Sequence, residues 1–355
     1  MNKRIIETLM ILIFLGFMSV SIAEDSNQLG KSTDFPSDSY FYTDIDNYSN
    51  VINYEYSTRT SARSGQKNVH LKDLDFSFCE NIDIPGMPAT KETDFLNQYI
   101  FSTAQCPQGI AITDDFVMIT SYSAEEDCLG QFMVFDRISG DYLITLGMDK
   151  DSHLGGIAYD GENVWVCNSA DKTLERISYD FIYQMATQYK GEVIDATMLV
   201  DVYSLKNIPS CIAFYNGRLW IATHKIWFDS HMVVYYYDKN EDKLKILSTY
   251  NIPSQVQGVA FGEKGEVILS TSYGRKFSSY LKIYESVFSM TAMVNEPMLT
   301  IEMPPCSEGI TIYEDVIYIL FESAGEKYIE GTDGKGQSLS PLDRILMIPM
   351  ENAGD

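Results

Sequence analysis

The stretch QGIAITDDFVMITS, residues 108–121, decides how the rest of this chain is organised. It opens on an apolar run, turns at two aspartates and returns on a second apolar run. Versions of its opening recur as GGIA at 155–158, SCIA at 210–213, QGVA at 257–260 and EGIT at 308–311. The residue after the Gly or Cys is 110, 157, 212, 259 or 310, so the copies are 47, 55, 47 and 51 residues apart. A repeated strand-rich unit of about 40–50 residues is typical of a propeller blade.

Each copy predicts a tight pair of inner strands. Asp, Asn and Gly fill the turn at 160–163, and the return run 164–167 reads VWVC. The third copy has the same form, with Asn216 and Gly217 before LWIA at 219–222. This is the pattern of two strands joined by a short turn. Because the runs are almost wholly apolar, we expect both of their faces to be buried between neighbouring blades.

Two outer strands follow in each unit. We expect third strands at 131–136, 173–178, 232–238, 281–285 and 344–348, and fourth strands at 142–146, 198–203, 244–249 and 298–302. The fifth unit ends before its fourth strand, and residues 98–102, QYIFS, are the predicted replacement. The fold class is therefore an all-β, five-bladed β-propeller whose ring is closed by an N-terminal strand completing the last blade, which removes open strand edges. Six blades are the alternative, since residues 74–84 could form an extra strand.

The sequence predicts three segments. Residues 1–23 have Lys3 and Arg4, an apolar run and a small-residue ending, which is the pattern of a Sec-type signal peptide and predicts a secreted protein. Residues 24–68 are acidic and rich in tyrosine, and we expect a flexible spacer. Residues 69–355 form the propeller domain. Within it, residues 180–189 have helical spacing, and residues 326–341, rich in Gly and Ser, predict a long loop of the kind that often carries function.

The charge excludes some partners. A formal net charge of −24 repels phosphate backbones and anionic lipid surfaces, so we expect neither nucleic-acid binding nor membrane insertion. A small polar molecule, or an extracellular protein or glycan, is the expected partner of a monomer. Six cysteines in an exported chain permit disulfides. The candidates for a bridge are Cys79, Cys106, Cys128 and Cys306.

Propeller topology brings the chemically interesting residues to one face. The connections into the first strands and those between the second and third strands open on the same side of the ring, around the central channel. The residues expected there as ligand-binding candidates are Gln108, Tyr122, Asn168, Gln257, Tyr273, Arg275 and Glu322, with Glu308 and His224 as catalytic candidates. A concave face with convergent polar groups is the usual location of a binding site.

Each candidate has a functional and a structural interpretation. Glu308 could bind a cation or act as an acid or base, or it could simply accept backbone hydrogen bonds. His224 could carry a proton or be an ordinary surface histidine. For Glu322, a structural ion pair with Arg275 between adjacent blades is favoured over a catalytic role.

The neutral and aromatic candidates favour recognition. Gln108 and Gln257 are neutral and suit hydroxyl or amide groups. Tyr122, Tyr273 and the nearby Trp227 could stack on a sugar or an aromatic ligand, or pack within the blades.

The phrase PQGIA at 107–111 and the return strand VWV at 164–166 resemble NHL-type repeats and the gluconolactonase and senescence-marker propellers. SEGI at 307–310 is similar to the phrase that supplies a metal ligand in those lactonases. The resemblance covers residues 96–350 and implies a propeller in which Ca²⁺ is the candidate cofactor, with Glu308 and Asn168 as metal ligands. The further Asn and Asp ligands of those enzymes are replaced here by Gln108, Gly155, Ser210 and Gln257.

Three functions follow as expectations. The first is binding of a small polar ligand or a partner protein on the channel face. The second is metal-dependent hydrolysis of lactones or phosphoesters, with Glu308 and Asn168 holding Ca²⁺ and His224 carrying a proton. The third is a protein-interaction platform in which the channel is only structural. The sequence is compatible with a catalytic or a non-catalytic role.

Overall fold

The computed structural model describes residues 43, 46–57, 67–82, 90–93, 99–102, 104–125, 127–291 and 296–353. All of these belong to one compact unit that spans residues 38–355. The predicted signal peptide, residues 1–23, lies outside the described residues. Among those described, no helix is both long enough and apolar enough to span a membrane.

The described residues form five blades, each an antiparallel sheet of four strands around a common axis. Strands β1 (Lys67–His70), β2 (Ser77–Phe78), β3 (Thr90–Thr93) and β4 (Tyr99–Ser102) come first in the sequence. Blade one follows as β5 (Gln105–Ile112), β6 (Phe116–Ser123), β7 (Gly130–Asp136) and β8 (Tyr142–Met148). Blade two contains β9 (Ile157–Tyr159), β10 (Asn163–Asn168) and β11 (Thr173–Ser178), and, after β12 (Glu192–Asp195), β13 (Asp201–Ser204).

The remaining blades have the same order. Blade three is β14 (Cys211–Tyr215), β15 (Arg218–Ala222), β16 (Ser230–Asp238) and β17 (Lys243–Ile252). Blade four is β18 (Val256–Phe261), β19 (Val267–Thr271), β20 (Ser279–Tyr284) and β21 (Leu299–Met303). Blade five contains β22 (Ser307–Tyr313), β23 (Val316–Phe321) and β24 (Leu346–Pro349). The described helices are α1 (Ser49–Ile52), α2 (Tyr179–Gln188), α3 (Val287–Thr291) and α4 (Glu326–Glu330), with 3₁₀ turns at Leu71–Asp73 and Met350–Ala353.

The first strands of all five blades line the central channel. A cavity of about 160 Å³ on the axis is lined by residues 111–112, 157–159, 212–214, 259–261 and 310–312. The five-bladed fold predicted from the repeats is therefore confirmed. The predicted helix between the third and fourth strands of blade two is also present, as α2.

The ring closes through a different strand from the one predicted. Strand β2 pairs antiparallel with β24 and completes blade five, with Ser77 opposite Met347 and Phe78 opposite Leu346. The predicted strand at 98–102 does not pair with β24, because β4 pairs with β3 in a separate two-stranded sheet. Closure by an N-terminal strand is thus right, and the assignment to residues 98–102 is wrong. The extra strand considered at 74–84 exists, but it belongs to the fifth blade.

Two further strands extend the blades outward. Strand β12 pairs in parallel with β8 of blade one, and β1 pairs in parallel with β21 of blade four. These additions give the two blades a fifth strand, which covers an outer edge that would otherwise be open.

Part of the predicted flexible spacer packs against the propeller instead. Val51 in α1 is fully buried within the apolar cluster of blades four and five, and Tyr54 is nearly so. Ser57 donates from its backbone nitrogen and its hydroxyl to the two carboxylate oxygens of Glu302, at 2.9 and 2.7 Å. The tyrosine rings of this segment supply buried apolar area although it contains few aliphatic residues. The described residues 46–57 therefore form part of the folded unit.

The core lies between the blades. Along β10, Val164 and Val166 pack toward blade one, whereas Trp165 and Cys167 pack toward blade three. Alternate side chains of a strand point to opposite faces of its sheet. The inner strands are therefore buried on both faces, as their continuous apolar sequence predicts.

Candidate functional site

The channel face is the end of the ring where each first strand begins and each second strand ends. Gln108 lies on β5, Gln257 on β18 and Glu308 on β22, while Glu322 directly follows β23. Because Gln108, Gln257 and Glu308 occupy equivalent positions in their blades, the repeat brings them together around the channel mouth, where the second strand of blade five also ends. The structure places most of the predicted site residues here.

Glu308 and Glu322 form a hydrogen-bonded pair of buried carboxyl groups. Their side chains are only 2% and 9% exposed. Burial raises the pKa of Glu308 well above its ordinary value, and the neighbouring Glu322 carboxylate raises it further. Burial also raises the pKa of Glu322. Two carboxylates in contact cannot both ionise easily, so the pair holds one shared proton.

The proton shared by the two carboxyl groups resides on Glu308. Glu322 accepts a hydrogen bond from Gln108 Nε2 at 2.8 Å and another from the Tyr328 hydroxyl, and the Lys327 ammonium lies nearby. These donors favour the ionised form of Glu322. Glu308 then donates to Glu322 as a neutral acid.

Side-chain hydrogen bonds continue from this pair around the channel mouth. Gln257 Nε2 donates to Glu308 Oε1 at 2.9 Å, and Gln257 is in turn hydrogen-bonded to His224. We call His224, Gln257, Glu308, Glu322 and Gln108 the polar chain, and it runs through blades three, four, five and one. Burial lowers the pKa of His224, which favours its neutral form. His224 Nδ1 lies 3.3 Å from the Val256 carbonyl oxygen, so this nitrogen is the one that carries the hydrogen.

The shared proton predicts opposite results for two isosteric substitutions. Glu308→Gln keeps a donor toward Glu322 and an acceptor for Gln257, and it removes the titrating group. A carboxyl whose pKa is raised by folding stabilises the folded state below its unfolded pKa, near 4.5, and this stabilisation is lost as pH rises through the folded pKa. We therefore expect Glu308→Gln to be as stable as wild type or more stable above pH 7, with a flatter dependence of stability on pH.

Glu322→Gln is the matched comparison. This substitution replaces an acceptor oxygen by an NH₂ group that faces the donors of Gln108 and Tyr328. We expect it to lower the free energy of unfolding by about 2 kcal/mol. Urea unfolding of both variants from pH 5 to 9 measures this. Equal destabilisation by the two substitutions would contradict the assignment of the proton to Glu308.

A long loop of blade five covers the pair. We call residues 322–341, which follow β23, the blade-five loop. Tyr328 on α4 reaches Glu322, and the Lys327 ammonium contacts the Tyr122 hydroxyl and lies 4.4 Å from the centre of its ring. The loop predicted at 326–341 thus contains a short helix, and it supplies Lys327 and Tyr328, which the sequence analysis did not single out.

Arg275 anchors this loop and does not pair with Glu322. Its guanidinium donates to Asp333 Oδ2 at 2.5 Å and to the Gly336 carbonyl at 2.7 Å, and it lies 4.3 Å above the Tyr328 ring. The ion pair favoured between Arg275 and Glu322 is therefore wrong. The true partner, Asp333, lies inside the loop, where sequence spacing gives no indication of its position.

All six cysteines are free thiols, so the bridge considered among Cys79, Cys106, Cys128 and Cys306 is absent. Cys106 and Cys306 lie in one small apolar cluster with Tyr328, but their sulfurs donate to the carbonyls of Ala104 and Gly274, respectively. Cys128 Sγ donates to Glu125 Oε2 at 3.3 Å. Burial raises the pKa of Cys106 to about 12, so this thiol beside the channel stays protonated.

Asn168 does not lie in the polar chain. Its Nδ2 donates to Glu175 Oε1 at 2.8 Å, and its Oδ1 accepts from the backbone nitrogen of Asp171 at 3.1 Å. Both polar atoms are thus engaged within blade two. Across the part of the chain that the structure describes, no three His, Cys, Asp or Glu side chains are grouped so as to hold a metal ion.

An aromatic shelf borders the channel mouth. We use this name for Trp227, Tyr273 and Phe277, which are 68%, 36% and 62% exposed. The ring centres of Trp227 and Tyr273 are 6.0 Å apart, and those of Tyr273 and Phe277 are 5.8 Å apart. Gln255 Nε2 donates to the Ile226 carbonyl at 3.4 Å, which connects the loop that carries Trp227 to the segment just before β18. On the other side of the face, the rings of Tyr122 and His153 stack at 4.1 Å.

No protein-family model matches this chain, and no curated protein matches its sequence. Among solved structures, a glutaminyl cyclase from Myxococcus xanthus is 10% identical and aligns over 62% of this chain and 87% of its own, with a TM-score of 0.40. A nidogen/laminin complex is 14% identical over 69% and 84%, with a TM-score of 0.38. The tail fibre of Staphylococcus aureus phage P68 is 11% identical over 79% and 53%, with a TM-score of 0.46. At these values the likenesses carry no argument about function.

Proposed function

We propose that the channel face binds a small, neutral, hydroxyl-rich molecule of the saccharide type. The β-propeller fold is compatible with ligand or protein binding. The observation that carries the proposal is the aromatic shelf, which leaves large rings exposed beside a buried and ordered set of polar groups. Aromatic faces exposed next to convergent polar groups suit a ligand with both C–H faces and hydroxyl groups.

The polar chain supports a neutral ligand. Gln257, which is half-buried, carries an amide group that can donate and accept, as hydroxyl groups do. Glu308 carries a proton, and the charge of Glu322 is opposed by Lys327. Because the partners of these groups are already fixed by hydrogen bonds, little side-chain ordering would accompany binding.

The test is binding of neutral mono- and oligosaccharides, measured by thermal unfolding and then by titration calorimetry. A ligand at a hundredfold excess over its Kd stabilises the folded state by about 2.7 kcal/mol. For a saccharide that binds, we expect Trp227→Ala to weaken affinity about 5- to 30-fold, because a lost stacking partner costs about 1–2 kcal/mol. Phe288→Ala is the matched control, since Phe288 is 82% exposed on α3, at the opposite end of the ring.

A partner protein is the second candidate. Ile226 and Phe228, on either side of Trp227, are 42% and 88% exposed, so the shelf continues into an apolar loop. Exposed apolar patches of this kind mark protein contacts as well as ligand sites. Absence of any saccharide binding, together with a Trp227-dependent protein complex, would favour this candidate and overturn the first.

The calcium-dependent hydrolase, which the resemblance to lactonases implied, gains no support from the site. It would need Glu308 and Asn168 at one ion, and Asn168 is engaged with Glu175 and Asp171 instead. Adding Ca²⁺ in the same thermal assay, with EDTA as the reference, tests that function directly.

A further inference from the structure

A second pocket on the channel face lies away from the polar chain, at the outer junction of blades one and two. Its volume is about 440 Å³, within the size range of small-molecule sites. We call it the junction pocket. Its acidic lining residues are Asp149, Asp171, Glu175 and Asp195.

The junction pocket is strongly acidic. Four carboxylates and one ammonium line it, which gives a formal charge of −3. The ammonium of Lys150 lies 3.4 Å from Asp151, outside the lining set. Asp195 Oδ1 accepts from the backbone nitrogen and the hydroxyl of Thr197. A concave site lined mainly by one sign of charge raises the local concentration of ligands of the opposite sign.

Two buried polar atoms in this lining have no hydrogen-bond partner. They are Glu175 Oε2 and Thr173 Oγ1, on side chains of residues only 5% and 7% exposed. Leaving such buried atoms unpaired is unfavourable, so a ligand that donates to them would stabilise the pocket. Asn168 fixes the other carboxylate oxygen of Glu175 at 2.8 Å, so the free oxygen is held in place. Burial, and then the charges of Asp149 and Asp171, raise the pKa of Glu175, and a bound cation would relieve this repulsion.

The shape of the pocket favours an organic cation over a metal ion. About 440 Å³ is many times the roughly 30 Å³ occupied by one water molecule. Within the described ranges, His, Cys, Asp and Glu nowhere converge in threes as a metal site requires. Leu129, Val200 and Val202 add apolar walls suited to methylene groups.

We propose that the junction pocket binds an aliphatic primary amine, whose ammonium group donates to Glu175 Oε2 and Thr173 Oγ1 while its carbon chain lies against Leu129, Val200 and Val202. The ammonium group supplies three donors, and Glu175 Oε2 and Thr173 Oγ1 each have no hydrogen-bond partner in the protein. This site shares no residue with the polar chain or the aromatic shelf, so it stands independently of the saccharide proposal.

The test is titration calorimetry of the full chain with 1,4-diaminobutane at low ionic strength. We expect saturable binding, a loss of at least tenfold in affinity for Glu175→Gln, and a smaller loss for Thr173→Val, which leaves every charge in place. Glu162→Gln is the control, because it removes the same charge from an exposed turn of the same blade at the opposite end of the ring. Thermal unfolding of each variant shows whether it is folded.

Three further probes decide the class of ligand. 1,4-Butanediol, which has the same chain without charge, should not bind. Nα-acetyl-lysine amide decides between two sources of the amine. If the pocket accepts a lysine side chain of a partner protein, both this compound and 1,4-diaminobutane bind. If the pocket accepts only a free amine, only the diamine binds. Equal loss of affinity in Glu162→Gln, no saturable diamine binding, or a preference for Ca²⁺ over the diamine would overturn the proposal.

Discussion

Replacing Phe78 by alanine is expected to lower the free energy of unfolding by about 4 kcal/mol. Phe78 is 3% exposed, and it packs in the apolar cluster that joins blades four and five. It also belongs to the two-residue strand that completes blade five against β24. Truncating a buried phenylalanine to alanine typically costs 3–5 kcal/mol. Urea unfolding at unchanged m-value measures the loss.

The control for Phe78→Ala is Phe288→Ala, which removes an equally large but exposed side chain and should change stability by less than about 0.5 kcal/mol. A direct test of the closing strand is the pair Ser77→Cys and Met347→Cys, whose positions lie opposite each other. Opposed strand residues approach closely enough for a disulfide. Cross-linking of Ile100→Cys with Met347→Cys in its place would contradict closure by β2.

Gly309→Ala is expected to cost about 3 kcal/mol, at the upper end of the range for overpacked cores. A Cβ at Gly309 would lie 2.5 Å from the backbone oxygen of Gln108 and 2.9 Å from the Cα of Gly109. Both neighbours are backbone atoms of the adjacent blade, which cannot rotate out of the way. The substitution would therefore have to push blades five and one apart.

The matched control is Gly217→Ala in a surface turn. Gly217 has φ +71°, and nothing lies within 4 Å of the added Cβ, so only backbone strain of about 1 kcal/mol is expected. Chemical unfolding of the two variants separates crowding from strain. A Gly309→Ala protein as stable as Gly217→Ala would show that the close approach of the blades is not required.

The same close approach explains the repeated phrase itself. A Cβ at Gly109 would lie 2.9 Å from the Cα of Gly156, and one at Gly156 would lie 2.8 Å from the Cα of Cys211. At Gly258 it would lie 2.7 Å from the backbone oxygen of Glu308. The glycine in the phrase marks the place where neighbouring first strands touch at the narrow centre of the ring. Its recurrence is a consequence of ring packing, and for that reason it reports fold more than activity.

The sequence predicted which face of the ring carries the candidate site, but it did not predict the contacts within that site. Equivalent repeat positions put Gln108, Gln257 and Glu308 at the channel mouth, which follows from topology alone. The partners of Arg275 and Asn168 did not follow from topology. Asp333 reaches Arg275 from a long loop, and Glu175 reaches Asn168 from the next strand of its own blade. Such contacts depend on loop paths and side-chain directions, which produce no periodic pattern of residues in a sequence.

The sequence by itself determined the propeller repeat, the inner strands and their two buried faces, because these depend on local apolar runs repeated at regular spacing. Only the tertiary structure decided between five and six blades and showed which N-terminal strand closes the ring, since β2 is two residues long and carries too little pattern to distinguish it from β4. The shared proton of Glu308 and Glu322 likewise arises only when the ring brings two carboxyl groups from separate strands into one buried contact. Local pattern fixes the repeating elements, whereas pairing between distant segments and burial fix the chemistry.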